Sequence, residues 1–220
     1  MKNEYDSFLS EGIKKVNCGD YKEAVNLLNR IATSNVNDDK LYYFLGKAYF
    51  GISDFQNAII NLKKAIELKP SEEAYIKLAL SLGELKQLAD ALEILEKALK
   101  KYPASAELYS YLGVTLRSQN RLSESIDAFK QALDLNAEHL GANWGLGVVY
   151  AMSGDNTKSI KYLRKATKIN PSFAPPHFHL AMVYLITDNF EGAKKKLEIL
   201  EKLNSSFANS LKQELMKFQE

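Results

Sequence analysis

Cysteine is nearly absent from this sequence, since Cys18 is the only one among 220 residues. An internal disulfide and a multi-cysteine metal site are therefore excluded. Long apolar runs are missing as well, and none approaches the ~18 residues that a membrane-spanning helix requires. The opening stretch "MKNEYDSFLSEG" carries acids where a secretory signal needs an apolar core. We expect a cytoplasmic protein, either free in solution or peripheral on a membrane or organelle surface.

Charge of one sign is not in excess either. The chain has 29 basic and 27 acidic side chains, which gives a formal net charge of +2. Because nucleic-acid affinity depends on a strong positive excess, this balance argues against a nucleic-acid partner.

Signals for catalysis and for metal or cofactor binding are sparse. His177 and His179 are two residues apart, so on a helix they point about 200° away from each other. His139 is the only other histidine, and no phosphate-binding loop of the G-x-x-x-x-G-K-[ST] type occurs. We expect Cys18 to be a small, partly buried residue, with no histidine nearby to activate it. The sequence thus predicts no enzyme, no metal, no cofactor and no small-molecule substrate.

What the sequence does contain is an internal repeat. "LGKAYFGISDFQNAIINLKKAIELKP" (45–70) aligns with "LGVVYAMSGDNTKSIKYLRKATKINP" (146–171) at leucine, glycine, tyrosine, aspartate, lysine, alanine and the final proline. Two small residues recur in six copies, with steps of 34 residues apart from one of 33. They are Gly12, Gly46, Ala79, Gly113, Gly147 and Ala181, then Ala24, Ala58, Ala91, Ser125, Ser159 and Ala193.

Each copy has the pattern of two helices joined by a turn. Two apolar stretches with helical spacing flank a turn such as "ISDF" or "SGDN". Gly19 and Gly154 stand where a left-handed residue would end the first helix. Pro70, Pro103 and Pro171 stop the second helix. The small residues let the two helices of a copy approach closely.

This pattern resembles the tetratricopeptide repeat family over nearly the whole chain. The resemblance implies an all-α, right-handed superhelical solenoid formed by a single domain, residues 1–220. The expected repeats are 5–38, 39–71, 72–105, 106–139, 140–173 and 174–207. A C-terminal capping helix is expected over 207–219, with an apolar stripe of Phe207, Leu211, Leu215 and Phe218. The first repeat has Glu11 and Lys15 at normally apolar positions, which predicts either a solvated cap or a mobile arm.

The resemblance also implies that positions 2, 5, 9, 12 and 13 of each repeat line a concave groove. The family's carboxylate clamp uses lysine, asparagine and arginine from three successive repeats. No three successive repeats of this sequence carry those residues at the required positions. Trp144 lies at position 5, while position 4, normally aromatic, is Asn143. The next repeat shows the same one-residue displacement of the aromatic side chain, with His177 at position 4 and Phe178 at position 5. The predicted groove residues are Tyr43, Lys47, Phe50, Lys77, Tyr111, Val114, Trp144, Val148, Met152, Phe178, Met182 and Leu185.

Two interpretations of this apolar set are open from the sequence. In the first, it is a partner-binding groove, because tryptophan and tyrosine dominate binding energies and methionine adapts to irregular partners. In the second, neighbouring helices bury these residues, or the C-terminal helix folds over them through Met216.

The second helices of the last two full repeats are basic. Their cations face away from the groove and predict either a solvated surface or a salt-sensitive contact with an anionic membrane or acidic protein. They are Lys158, Lys161, Arg164, Lys165, Lys168, Lys194, Lys195 and Lys196.

We therefore predict a monomeric adaptor that holds an apolar or amphipathic helical segment of a protein in its groove. The alternative is a self-assembling scaffold, in which one copy docks head to tail into the next. The size and six-repeat layout also resemble those of repeat proteins that coat bacterial magnetosomes, so the scaffold of this alternative would coat a membrane organelle. A regulatory subunit of a larger enzyme complex is the third alternative.

Overall fold

The computed structural model describes residues 2–32 and 37–217, the side chains of residues 2 and 3 excepted. These residues form thirteen α-helices and no strand, which confirms the all-α fold. The helices fall into two compact units, an N-terminal unit (Met1–Pro103) and a C-terminal unit (Ala104–Glu220). The single solenoid over residues 1–220 stays a prediction.

The N-terminal unit contains three helical hairpins. Their helices are α1 Lys2–Asn17, α2 Tyr21–Asn29, α3 Asp39–Gly51, α4 Phe55–Leu68, α5 Glu72–Glu84 and α6 Leu88–Lys101. The first hairpin is packed rather than detached, because Val16 and Leu28 share one buried cluster with Leu41 and Leu45 of α3. Tyr5 also donates a hydrogen bond of 2.9 Å to the Asp38 carboxylate. The expectation of a mobile arm was therefore wrong.

The C-terminal unit contains three more hairpins and a last helix. Its helices are α7 Ala106–Ser118, α8 Leu122–Leu135, α9 Leu140–Met152, α10 Asn156–Ile169, α11 Ala174–Ile186, α12 Phe190–Lys202 and α13 Phe207–Lys217. Leu211 and Leu215 of α13 are buried in one cluster with residues of α11 and α12. Phe218, expected in the same stripe, lies outside the described residues, as do positions 219 and 220.

Close helix packing within each hairpin depends on the small residues found by periodicity. A Cβ built on Gly46 would lie 2.5 Å from Leu62 Cγ, and one on Gly147 would lie 2.5 Å from Leu163 Cγ. Both leucines are fully buried. The predicted close approach is thus confirmed, and any side chain at these glycines would push the helices apart.

All six hairpin turns use one backbone device. The second residue after the first helix has a positive φ in every hairpin: Gly19, Ser53, Lys86, Asn120, Gly154 and Asp188. The next residue donates its backbone N–H to a carbonyl five residues back, as from Asp155 to Tyr150 at 2.9 Å. This is the Schellman motif. It reverses the chain in a fixed geometry and places the two helices of each hairpin side by side.

Candidate protein-binding surface

Two buried polar residues explain why the aromatic side chains are displaced by one position. Asn143 is fully buried, and its side-chain amide donates a hydrogen bond of 3.1 Å to the Ala137 carbonyl oxygen. His177, 3% exposed, contacts the Pro171 carbonyl oxygen through Nε2 at 2.9 Å. Each side chain therefore bonds to the carbonyl six residues earlier and ties the start of its helix to the preceding loop. In each helix the large ring then stands at the following residue.

Trp144 is held by the following hairpin. Its ring meets the edges of Phe173 and His179, with centroid separations of 5.5 Å and 5.7 Å. Phe178 stacks on Phe207 of α13 at 5.0 Å. Both predicted aromatic residues are partly buried. They form a surface that is fixed by packing on one side and accessible on the other.

His179 controls the polar edge of Trp144. Its Nδ1 lies 3.3 Å from the indole nitrogen of Trp144 and 2.8 Å from the Pro175 carbonyl oxygen. The Nδ1 atom cannot accept a hydrogen bond from the indole N–H and donate one to the Pro175 carbonyl at the same time. The tautomer of His179 therefore decides whether the indole N–H is bonded inside the protein. Burial, reinforced by the charge of Arg117, lowers the pKa of His179 below its ordinary value, so the ring is neutral near pH 7.

A cleft of about 460 Å³ separates α7 from α9 in the C-terminal unit. Three predicted groove residues, Tyr111, Val114 and Trp144, line it together. Gly141 and Gly145 of α9 also line it, and Gly141 provides no side chain to narrow it beside Ser110 of α7. A Cβ on Gly145 would lie 2.3 Å from the Phe129 ring, so α9 packs directly against α8.

The cleft also carries charged side chains that are not among the predicted groove residues. Arg117 lines one end, and burial lowers the pKa of its guanidinium. No hydrogen bond or ion pair joins this side chain to any residue in the described ranges 2–32 and 37–217. Near the start of α7, Glu107 pairs with His139 Nε2 at 2.7 Å. Arg117 occupies position 12 of its repeat, a groove position in the family pattern, so the signal was present in the sequence.

The predicted residues of the N-terminal unit form a separate surface of aromatic rings and cations. Lys77 Nζ lies 4.7 Å from the Phe50 ring centroid. Lys47 Nζ lies 5.6 Å from the centroid of Tyr43 and 5.3 Å from that of Phe44. Burial and the neighbouring charge of Lys47 lower the pKa of Lys77. Such cation–π contacts hold the ammonium groups over the rings without neutralising them.

Two expectations need correction. Leu185 is fully buried in the cluster that includes Leu211 and Leu215 of α13, so it is removed from the predicted groove surface. The last helix, α13, contributes Leu211 and Leu215 to this cluster and packs against α11 and α12. Met216 is 64% exposed, so it does not cover the predicted groove residues. The contact of α13 with the aromatic set is made by Phe207 instead.

The remaining predicted residues differ in their surroundings. Val148 and Met182 are partly buried, and Met152 is 51% exposed. Cys18 is exposed rather than partly buried. Over the described part of the chain, no cluster of three metal-ligating residues occurs. A search of the same residues finds no helix long and apolar enough to cross a membrane.

The basic residues of α10 and α12 are exposed, with the exception of half-buried Lys196. Two are paired within their own helix turn: Lys158 with Asp155 at 2.7 Å, and Lys194 with Glu191 at 3.6 Å. Exposed pairs of this kind contribute little to stability. The choice between a solvated surface and an anionic contact stays open.

The fold and this surface define a class, that of helical-hairpin repeat proteins with small residues between paired helices. The tetratricopeptide repeat family model matches residues 76–139 and 115–172. A model described as anaphase-promoting complex, cyclosome, subunit 3, matches residues 17–98. The chain is therefore similar to the tetratricopeptide repeat family over residues 76–172. Its fold is consistent with a protein–protein interaction scaffold.

Solved structures of similar fold include MamA from Desulfovibrio magneticus RS-1 (residues 41 to the end). It is 25% identical with a TM-score of 0.66, and the match covers 77% of this chain and 96% of that one. The APC/C hetero-tetramer Cut9–Hcn1 matches at 20% identity and TM-score 0.81, over 98% of this chain and 43% of that one. PilW, a type IV pilus biogenesis factor, matches at 16% identity and TM-score 0.81, over 94% of this chain and 97% of that one. No curated protein matches significantly.

Proposed function

We propose that this protein is a non-enzymatic adaptor that holds an apolar or amphipathic segment of a partner protein. The observation that carries the proposal is the α7–α9 cleft, where Trp144, Tyr111 and Val114 remain accessible beside α9. Repeat proteins of this kind bind partners on the surface formed by their stacked first helices. A fixed tryptophan next to a recess of this size suits an anchor side chain of a helical peptide.

A randomised peptide display library tests this function. The protein is expected to select peptides that bind it and lose affinity for Val114→Glu, in which a charge occupies the cleft. Lys165→Glu on α10 is the matched control and should retain binding. Thermal melting shows whether each variant is folded, and Tyr111→Ala provides a second cleft variant. The proposal fails if no selected peptide depends on the cleft.

The second candidate is self-assembly into a scaffold coating a membrane organelle. The similarity to MamA supports it. In the structure, Met152 and Ile186 are 51% and 60% exposed at the ends of α9 and α11, and they would supply apolar contacts for another copy. The exposed cations of α10 and α12 would suit an anionic membrane surface.

Light scattering across a wide concentration range separates the candidates. An adaptor keeps one mass near 24.8 kDa. A scaffold grows with concentration and loses that growth in Trp144→Ala. Membrane docking would appear as salt-sensitive pelleting with anionic phosphatidylserine vesicles, lost when Lys194 and Lys195 are replaced by glutamate.

A further inference from the structure

We propose that the α7–α9 cleft binds an aspartate or glutamate side chain of the partner peptide at Arg117. An apolar side chain next to that acid would pack against Val114 and Trp144. This inference rests on the proposed peptide-binding function and specifies the chemistry of the segment that is bound.

The first argument is the state of Arg117. A guanidinium that loses part of its hydration is normally compensated by a carboxylate or by hydrogen bonds. Arg117 is only partly exposed and has neither, within the ranges 2–32 and 37–217 that the structure describes. Its planar donors match a carboxylate in two-pronged geometry. A partner acid would therefore supply the missing counter-charge.

The second argument is the charge pattern of the cleft. Glu107 and Glu138 line it together with Arg117. Glu107 and Arg117 are ten residues apart on α7, which is about 15 Å along the helix. This exceeds the ~8–10 Å screening length of physiological salt, so the two ends act separately. A segment with an acid at the Arg117 end and a cation at the Glu107 end complements this pattern.

The spacing sets the register of that segment. A bound helix would place its acid and its cation about ten residues apart. An extended chain would place them four to five residues apart, at about 3.3 Å per residue. This arrangement differs from the carboxylate clamp, which draws cations from three successive repeats. Here one arginine at position 12 of one repeat makes the contact.

Peptide display tests the inference directly. The randomised library is selected in parallel on the wild-type protein, Arg117→Gln and the control Lys165→Gln, which removes the same charge from α10. We expect aspartate or glutamate to be enriched at one position with wild type and Lys165→Gln, and this enrichment to vanish with Arg117→Gln. Glu107→Gln should remove only a basic preference at the other end.

Affinity gives the second readout. The best wild-type peptide, synthesised with an amidated C-terminus, should bind Arg117→Gln about 10- to 100-fold more weakly, as expected for one charged hydrogen-bonded pair. Replacing the acidic residue of the peptide by the corresponding amide should weaken its binding to the wild-type protein by the same factor. The same replacement should change its binding to Arg117→Gln little.

The outcomes distinguish the two proposals. Cleft-dependent peptides without an acidic preference, or with one that survives Arg117→Gln, would overturn the inference and leave the adaptor function standing. Loss of binding on amidation alone would assign Arg117 to a terminal carboxylate and overturn the side-chain assignment. A failure to select any cleft-dependent peptide would overturn both.

Discussion

Trp144 and His179 lie 35 residues apart in the chain, and their rings meet edge to face at 5.7 Å. The contact joins α9 to α11 and fixes the tryptophan before any partner arrives. Preorganised aromatic residues bind with less loss of conformational entropy than mobile ones. The cleft beside α7 is therefore a prepared surface, and its charged groups are the features whose removal is most informative.

The unpaired arginine predicts an unusual effect on stability. Arg117→Met keeps the apolar stem and removes the partly desolvated charge. The free energy of unfolding is expected to stay unchanged or to rise by about 0.5–1 kcal/mol. Arg164→Met is the contrast, because Arg164 Nε donates a hydrogen bond of 2.8 Å to the Tyr184 hydroxyl. Loss of this hydrogen bond should lower the free energy of unfolding. Urea unfolding measures both, and a clear loss in Arg117→Met would indicate that the guanidinium is already satisfied.

The helix contacts within hairpins predict opposite effects of one substitution at two glycines. Gly147→Ala places a Cβ 2.5 Å from Leu163 Cγ and should cost about 1–3 kcal/mol. Gly83→Ala on α5 meets nothing within 4 Å and should stabilise by about 0.5–1 kcal/mol through helix propensity. Thermal unfolding of the two variants measures both changes in stability. A Gly147→Ala protein as stable as wild type would contradict the close packing of α9 on α10.

A hairpin turn that lacks glycine offers a third prediction. Lys86 has φ 60° in the turn between α5 and α6, where glycine carries no steric cost. Lys86→Gly should therefore stabilise by about 1 kcal/mol, measured by the midpoint of urea unfolding. Lys86→Ala keeps the strained backbone and removes the charge, so it should gain nothing. Equal gains in both variants would assign the effect to charge instead.

Buried histidine makes stability depend on pH. Burial lowers the pKa of His177 below its ordinary value, with Lys196 adding to the shift. The unfolded chain therefore takes up the proton first as the pH falls below about 6.5. The free energy of unfolding should be maximal above that pH and decline below it, by at most ~1.4 kcal/mol per pH unit for each histidine.

His177→Asn tests this assignment, because asparagine already fills the equivalent position as Asn143. The variant keeps a donor for the Pro171 carbonyl and should show a shallower decline between pH 6.5 and about 5. His179 shifts in the same direction and accounts for the slope that remains. An unchanged slope in His177→Asn would show that His177 is not the titrating group.

The sequence was sufficient to predict the repeats, because steric demands at Gly46 and Gly147 recur at a fixed interval. The turn geometry was only partly predictable. Glycine marks the left-handed residue in two of the six hairpins, whereas Ser53 and Lys86 adopt a similar positive φ without glycine's conformational freedom. Leu185 was misassigned because its burial depends on α13, a helix outside the repeat pattern.

The charge pattern of the cleft needed the structure. Arg117 stood at a groove position, yet nothing in the sequence showed that it would lack an acidic partner. Glu107, which also lines the cleft, lies about 15 Å from Arg117 along α7 and pairs with His139, 32 residues further along the chain. Such pairings between distant positions depend on side-chain geometry, which periodicity does not specify.

The central claim is that the α7–α9 cleft is the partner-binding surface. Hydrogen–deuterium exchange, measured with and without a display-selected peptide, tests it most directly. The account predicts slowed exchange in α7 and α9, around Tyr111 and Trp144, with α8 and α10 unchanged. Protection confined to α10 and α12, or absent from α7 and α9 at saturating peptide, would contradict it.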